Sequence, residues 1–205
     1  MLDKDKYKYF AEKNEDIPIF SRPWWLDAVC DEGHWDVILY EKNNSICSSF
    51  PFFIKKKNIF KLSLLPRLTQ KLGPYFVENE YLNDQKIYSY FSQELPYTNY
   101  FDQNCHHIIN NPNLFISEGF LVNNMRTCII ENIKDTTKIK KNFSKNRKYD
   151  LNKAEENKLK IDYEVSPNLF YEEHTNNLRK RGLKINYSKK FINKLYEASL
   201  QNKSG

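Results

Sequence analysis

Residues 134–205 read as three amphipathic helices and one strand, and that set of elements constrains the fold more than any other feature. One strand cannot bury three apolar helix stripes, because each stripe needs an opposing layer. Asp135 and Thr136 offer caps for a long polar helix reaching about Leu159, with Ile139, Phe143, Leu151 and Ala154 on its inner face. Arg147 falls on the same stripe by its spacing of four to Phe143 and Leu151. Lys160 to Val165 reads as a strand with Ile161, Tyr163 and Val165 on one face. Ser166-Pro167 then opens a helix bearing Phe170, His174 and Leu178 and ending at Gly182. Ser188 caps a last helix with the stripe Phe191, Ile192, Leu195 and Ala198. Such a unit is either the opening half of a larger domain or must find its sheet elsewhere.

Charge divides the chain at the same place. Residues 1–133 carry 14 Lys and Arg against 17 Asp and Glu, whereas residues 134–205 carry 18 against 9. A change of charge regime is a reasonable domain boundary. We therefore expect an N-terminal domain at 1–133 and an incomplete, helix-rich second domain at 134–205, joined by the polar linker Glu131-Asn132-Ile133-Lys134-Asp135.

The first part has the punctuation of an α+β domain. Ser21-Arg22-Pro23 starts a helix containing Trp24, Trp25, Ala28 and Val29, and Gly33 can end it. Trp35–Tyr40 and Ile46–Ile54 form a hairpin around the polar turn at 41–44, and Ile59–Leu65 is a third strand broken by Pro66. Gly73-Pro74 marks a turn. Asn83 or Asp84 caps a helix to Leu95 with Ile87, Tyr90 and Phe91 on its stripe; a short strand follows at Tyr97–Phe101. Leu114–Glu118 is one helical turn closed by Gly119, and Leu121–Asn124 with Arg126–Ile130 is a closing pair of strands. Tyr7, Tyr9 and Phe10 pack an N-terminal arm.

Composition excludes several classes. Aromatic residues make up 15% of the 205, which disordered chains do not carry. The opening MLDKDKYKYF has no apolar core, and no apolar run approaches the roughly 20 residues of a membrane span. A cytoplasmic location is the expectation. Cys30, Cys47, Cys105 and Cys128 are widely spaced and read as reduced thiols. Cys105-His106-His107 lacks the second ligand cluster that a zinc site needs, so no metal is expected.

The run Pro18-Ile19-Phe20-Ser21-Arg22-Pro23-Trp24-Trp25-Leu26-Asp27-Ala28-Val29 resembles the N-terminal signature of Fem-type members of the GNAT acyltransferase superfamily. Trp35-Asp36-Val37 and Pro66-Arg67-Leu68-Thr69-Gln70-Lys71-Leu72-Gly73-Pro74-Tyr75 are further matches. Phe143-Ser144-Lys145-Asn146-Arg147-Lys148, leading into Lys153-Ala154-Glu155, is similar to that family's linking basic helix. The resemblance spans most of residues 18–200. It implies two GNAT-like modules, each a mixed sheet flanked by helices, with the second incomplete here. It further implies transfer of an acyl or aminoacyl group from acyl-CoA or aminoacyl-tRNA to an amine. In that mechanism the donor pyrophosphate rests on backbone N–H groups at a helix start after a Gly-containing turn. No Gln/Arg-x-x-Gly-x-Gly/Ala turn occurs in the sequence, whose five glycines stand far apart. The donor site is therefore expected past Gly205, and no catalytic residue is assigned.

The basic helix Lys138–Lys160 has three readings: a solvated charged face, the wall of a substrate groove, or a nucleic-acid-binding helix. As a groove wall it offers Lys145, Arg147 and Lys148 to phosphate or carboxylate groups. Tyr75 either lines a cleft or caps packing. Trp25, four before Val29, is the core member of the Trp pair. His174 reads as a buried, hydrogen-bonded histidine, Glu172 and Glu173 as surface residues, and Lys55-Lys56-Lys57 as a charged hairpin tip. Amine acceptors, a tRNA-borne donor and self-association through the second domain are the partners considered. The rival function is a non-catalytic scaffold whose basic helix binds an anionic partner.

Overall fold

The computed structural model describes residues 3–130 and 133–204. Glu131 and Asn132 of the expected linker, and Gly205, lie outside these residues. The architecture is α+β, a mixed sheet flanked by helices.

Two long strands organise it. β1 (His34–Lys42) and β2 (Ser45–Lys57) pair antiparallel from His34↔Ile54 to Lys42↔Ser45, with a register shift at Tyr40/Glu41. Asn43 and Asn44 close the hairpin at φ 51° and 63°. Positive φ at both central residues matches the twist of the strands, and Asn tolerates it. β3 (Phe60–Ser63) and β4 (Tyr75–Phe76) each pair antiparallel with β2, while β5 (Tyr100–Phe101) runs parallel to β3.

Successive strand side chains point to opposite faces, and here both faces are buried. Trp35, Val37 and Leu39 enter one apolar cluster; Ile38, Phe50, Phe52 and Ile54 enter the other. The first cluster is covered by α1 (Asp3–Lys13), α2 (Pro23–Val29) and α8 (Lys189–Gln201). The second is covered by α3 (Gln85–Glu94) and α4 (Asn113–Ile116). Asp84 caps α3, its carboxylate accepting from Lys86 N at 3.0 Å, and Gly119 follows α4 at φ 86°.

The expected N-terminal arm is a helix. Tyr7 of α1 is fully buried and donates its hydroxyl to Ser21 O at 2.8 Å, while Tyr9 is exposed. Ser21 lies in a 3-10 turn, Ile19–Ser21, and does not cap α2; Arg22 occupies that position. The Arg22 guanidinium instead donates to Ala11 O, Glu15 O and Ile17 O at 2.7, 2.6 and 3.1 Å, tying the end of α1 to the start of α2. Gly33 lies beyond the end of α2, and a Cβ there would meet Ile54 O at 2.2 Å. Close approach to β2, and not helix termination, accounts for glycine at this position.

The long basic helix is two helices, α5 (Thr136–Asn142) and α6 (Lys145–Glu156). Phe143 is extended, and the Ser144 hydroxyl accepts from Arg147 N, starting a new helix where a continuous one was expected. Leu121–Asn124 and Arg126–Ile130 do not form strands, and neither does Lys160–Val165. Leu121 is 100% exposed and Tyr163 87%, so their alternating patterns have no opposing layer to bury them.

α7 (Pro167–Lys180) and α8 start on the expected caps, Ser166 accepting from Leu169 N and Ser188 from Phe191 N. Phe191 and Ile192 are buried in the same cluster as Trp25, Leu26 and Val29. The apolar stripe of the last helix thus finds its opposing layer on α2.

Candidate functional site

Two segments distant in sequence meet beside the first apolar cluster. The strap between β3 and β4 turns at Leu68, which holds φ 57°, a left-handed conformation unusual for a leucine. Thr69 N–H donates to Pro66 O at 3.2 Å across this turn. The Thr69 hydroxyl accepts from Trp25 Nε1 at 3.0 Å, fastening the strap to α2. Trp25 is the buried member of the tryptophan pair, and Trp24 packs edge-on against it with ring centroids 5.8 Å apart.

The strap then runs beside residues 103–106. Leu72 N–H donates to Asn104 O at 2.8 Å, and a Cβ on Gly73 would stand 3.1 Å from Cys105 Sγ. Glycine lets the strap approach that closely, and the approach carries His106 to the strap's side. The result is a cleft of about 210 Å³ lined by Pro18–Ser21, Gln70–Tyr75 and His106.

Tyr75 combines both expected roles. Its backbone pairs with Ser49, its carbonyl accepts from Ser48 Oγ at 2.7 Å, and its ring packs in the core 6.3 Å from Phe10 while lining the cleft. Burial and then the charge of Asp16 push the Tyr75 hydroxyl above the usual phenol range, with Arg22 opposing. Burial, then His107 and Lys71, hold the His106 imidazole below its ordinary value. His106 Nδ1 is buried without a hydrogen-bond partner. Burial pushes the Cys105 thiol up to about 12, leaving it protonated and poorly nucleophilic at neutral pH.

Lys145, Arg147 and Lys148 come together with one another on α6 but do not join Tyr75 in lining the cleft. No residue of α6 is buried. Arg147 pairs with Asp150 at 3.5 Å, and Lys148 Nζ donates to Lys141 O at 2.9 Å. Tyr149 is 64% exposed, and Lys145 and Lys153 lie four residues to either side of it, on the same helix face. An exposed aromatic ring thus sits among the basic side chains of α6. His174 is half-buried and stacks with Phe170 and Tyr187 at interplanar angles of 3° and 6°; among the described residues these ring contacts stand where a hydrogen bond was expected.

Sequence reasoning missed Lys71 and His106 as cleft residues. They lie 35 positions apart, and the one local signal was Gly73, read as a turn when its role is to let Cys105 approach. Among the described residues no group of three or more His, Cys, Asp or Glu side chains is placed to hold a metal ion. No described helix is long and apolar enough to cross a membrane. Fold and cleft together define an α+β protein with a small cleft beside a mixed sheet. No family model, curated protein or solved structure matches this chain.

Proposed function

We propose that the chain is the acceptor-side part of a Fem-type GNAT N-acyltransferase, which moves an acyl or aminoacyl group from acyl-CoA or aminoacyl-tRNA to an amine. The observation that carries this reading is that parts of two resembling runs, 18–21 of the first and 70–75 of the second, line one cleft. Resemblance alone does not give a function, so the reading rests on where these residues meet. In this reading the cleft receives the amine acceptor. The donor is held by residues other than these, because no glycine here stands in the donor-turn pattern.

The reading is tested by NMR shift mapping of the 205-residue chain with Nα-acetyl-lysine as amine probe and acetyl-CoA as donor probe. Shifts are expected at residues 18–21 and 70–75 with the amine and none with acetyl-CoA. Micromolar acetyl-CoA binding by this chain, or an amine that leaves the cleft undisturbed, overturns it.

A second reading, a non-catalytic module binding an anionic polymer, draws on α5 and α6. Residues 134–160 hold 10 basic and 4 acidic side chains, and no residue of either helix is buried. Under this reading, poly(U) binds with an affinity that falls steeply with salt. Arg147→Glu weakens binding several-fold at unchanged Tm, and each lost phosphate contact flattens the log–log salt slope by about 0.7. A lowered Tm for Arg147→Glu shows that this residue serves the fold and not a ligand.

A further inference from the structure

We infer that the cleft between Pro18–Ser21 and Gln70–Tyr75 binds an oxyanion, a carboxylate or phosphate group of its ligand, between the Lys71 ammonium and the His106 imidazole. Both residues line the cleft, and no Asp or Glu does. Among the described residues Lys71 forms no ion pair. The cleft therefore carries a positive field with nothing inside it to balance that field. His106, one of the lining residues, keeps its Nδ1 buried without a hydrogen-bond partner, whereas buried polar atoms are nearly always hydrogen-bonded.

Size fits the chemistry. A volume of about 210 Å³ holds roughly seven waters at about 30 Å³ each, enough for one carboxylate or phosphate and a short link. Pro18, Ile19 and Phe20 supply an apolar wall without a competing charge, and low polarisability around an ion strengthens its pairing with a nearby cation. The titratable and charged groups around His106 are Lys71 and His107, with the Cys105 thiol and the Tyr75 hydroxyl protonated at neutral pH. Asp16, whose charge reaches Tyr75, is not among the lining residues. An oxyanion between Lys71 and His106 removes their mutual repulsion and favours the imidazolium, which donates from both nitrogens. The assignment of that oxyanion to the amine acceptor rests on the transferase reading; the oxyanion site itself does not.

The test is titration of ¹⁵N-labelled chain with sodium phosphate and, separately, sodium acetate at constant ionic strength, following the histidine ring resonances. Saturable shifts are expected at His106, with the exposed His34 unmoved, and phosphate shifts the His106 titration to higher pH. Lys71→Gln, a change of charge on a part-exposed side chain, weakens the association about tenfold or more at unchanged Tm. Stronger saturation by phosphate than by acetate identifies a phosphate-bearing ligand, and the reverse a carboxylate. Shifts that never saturate and are shared with His34, or a Lys71→Gln chain that titrates like the parent, overturn the proposal. If phosphate saturates the cleft while Nα-acetyl-lysine leaves it untouched, the oxyanion site stands and the transferase reading falls. If the amine maps to the cleft and phosphate does not, the proposal falls alone.

Discussion

Phe50→Ala is expected to destabilise the chain by about 3–5 kcal/mol, the range for truncating a fully buried phenylalanine. Phe50 is 1% exposed, at the middle of β2, and its ring meets Phe91 edge-on at 5.2 Å and Phe101 at 6.4 Å. It therefore joins the hairpin to α3 and to β5 at once. Removing the ring leaves a cavity that β2 cannot collapse into, because the strand is held on both sides by β1 and β4. A loss of this size consumes a large share of the 5–15 kcal/mol typical of native domains. Urea unfolding followed by circular dichroism checks it, with the exposed Tyr97→Ala as a control expected to stay within about 0.5 kcal/mol. A Phe50→Ala midpoint equal to the parent's contradicts the packing described here.

Phe191→Ala carries the second large effect and differs in kind. Phe191 is 3% exposed and sits in the cluster that contains Trp25, Leu26 and Val29. Alongside it Lys194 Nζ donates to Asp27 O at 2.5 Å, and Tyr187 packs with its ring centroid 5.8 Å from that of Phe191. The truncation is again expected to cost about 3–5 kcal/mol, but at a surface between a helix pair and the sheet-bearing body. Amide exchange should accelerate through α7 and α8 by two orders of magnitude or more, while β1 and β2 keep their protection. Uniform acceleration everywhere shows instead that α8 unfolds only with the whole. Unchanged exchange in α8 removes the claim that Phe191 anchors it.

Residues 18–29 contribute both to the cleft and to the contacts that support it. Pro18–Ser21 forms a cleft wall, Arg22 satisfies three carbonyls, and Trp25 bonds the strap through Thr69. The lining is thus set on backbone held by side chains of α1, α2 and the 66–75 strap. A site supported in this way keeps its geometry without a ligand, lowering the ordering cost of binding.

What was legible in the sequence was local. The β1–β2 hairpin follows from alternation around Asn43-Asn44; the starts of α3, α7 and α8 follow from Asp84, Ser166 and Ser188, whose side chains each accept from the backbone two or three residues on. Gly119 and Gly182, at φ 86° and 70°, close α4 and α7 for the same local reason. Each of these signals acts within one turn of chain, so neighbouring residues suffice to decide it. Only the tertiary structure decided that Tyr7 and Ala11 make the N-terminal segment a packed helix, and that Leu121–Ile130 and Lys160–Val165 stay unpaired. It alone also seated Phe191 on α2 and brought His106 beside Lys71. Strand pairing, helix docking and cleft formation depend on which surface arrives opposite, and a periodic pattern states only that some surface must.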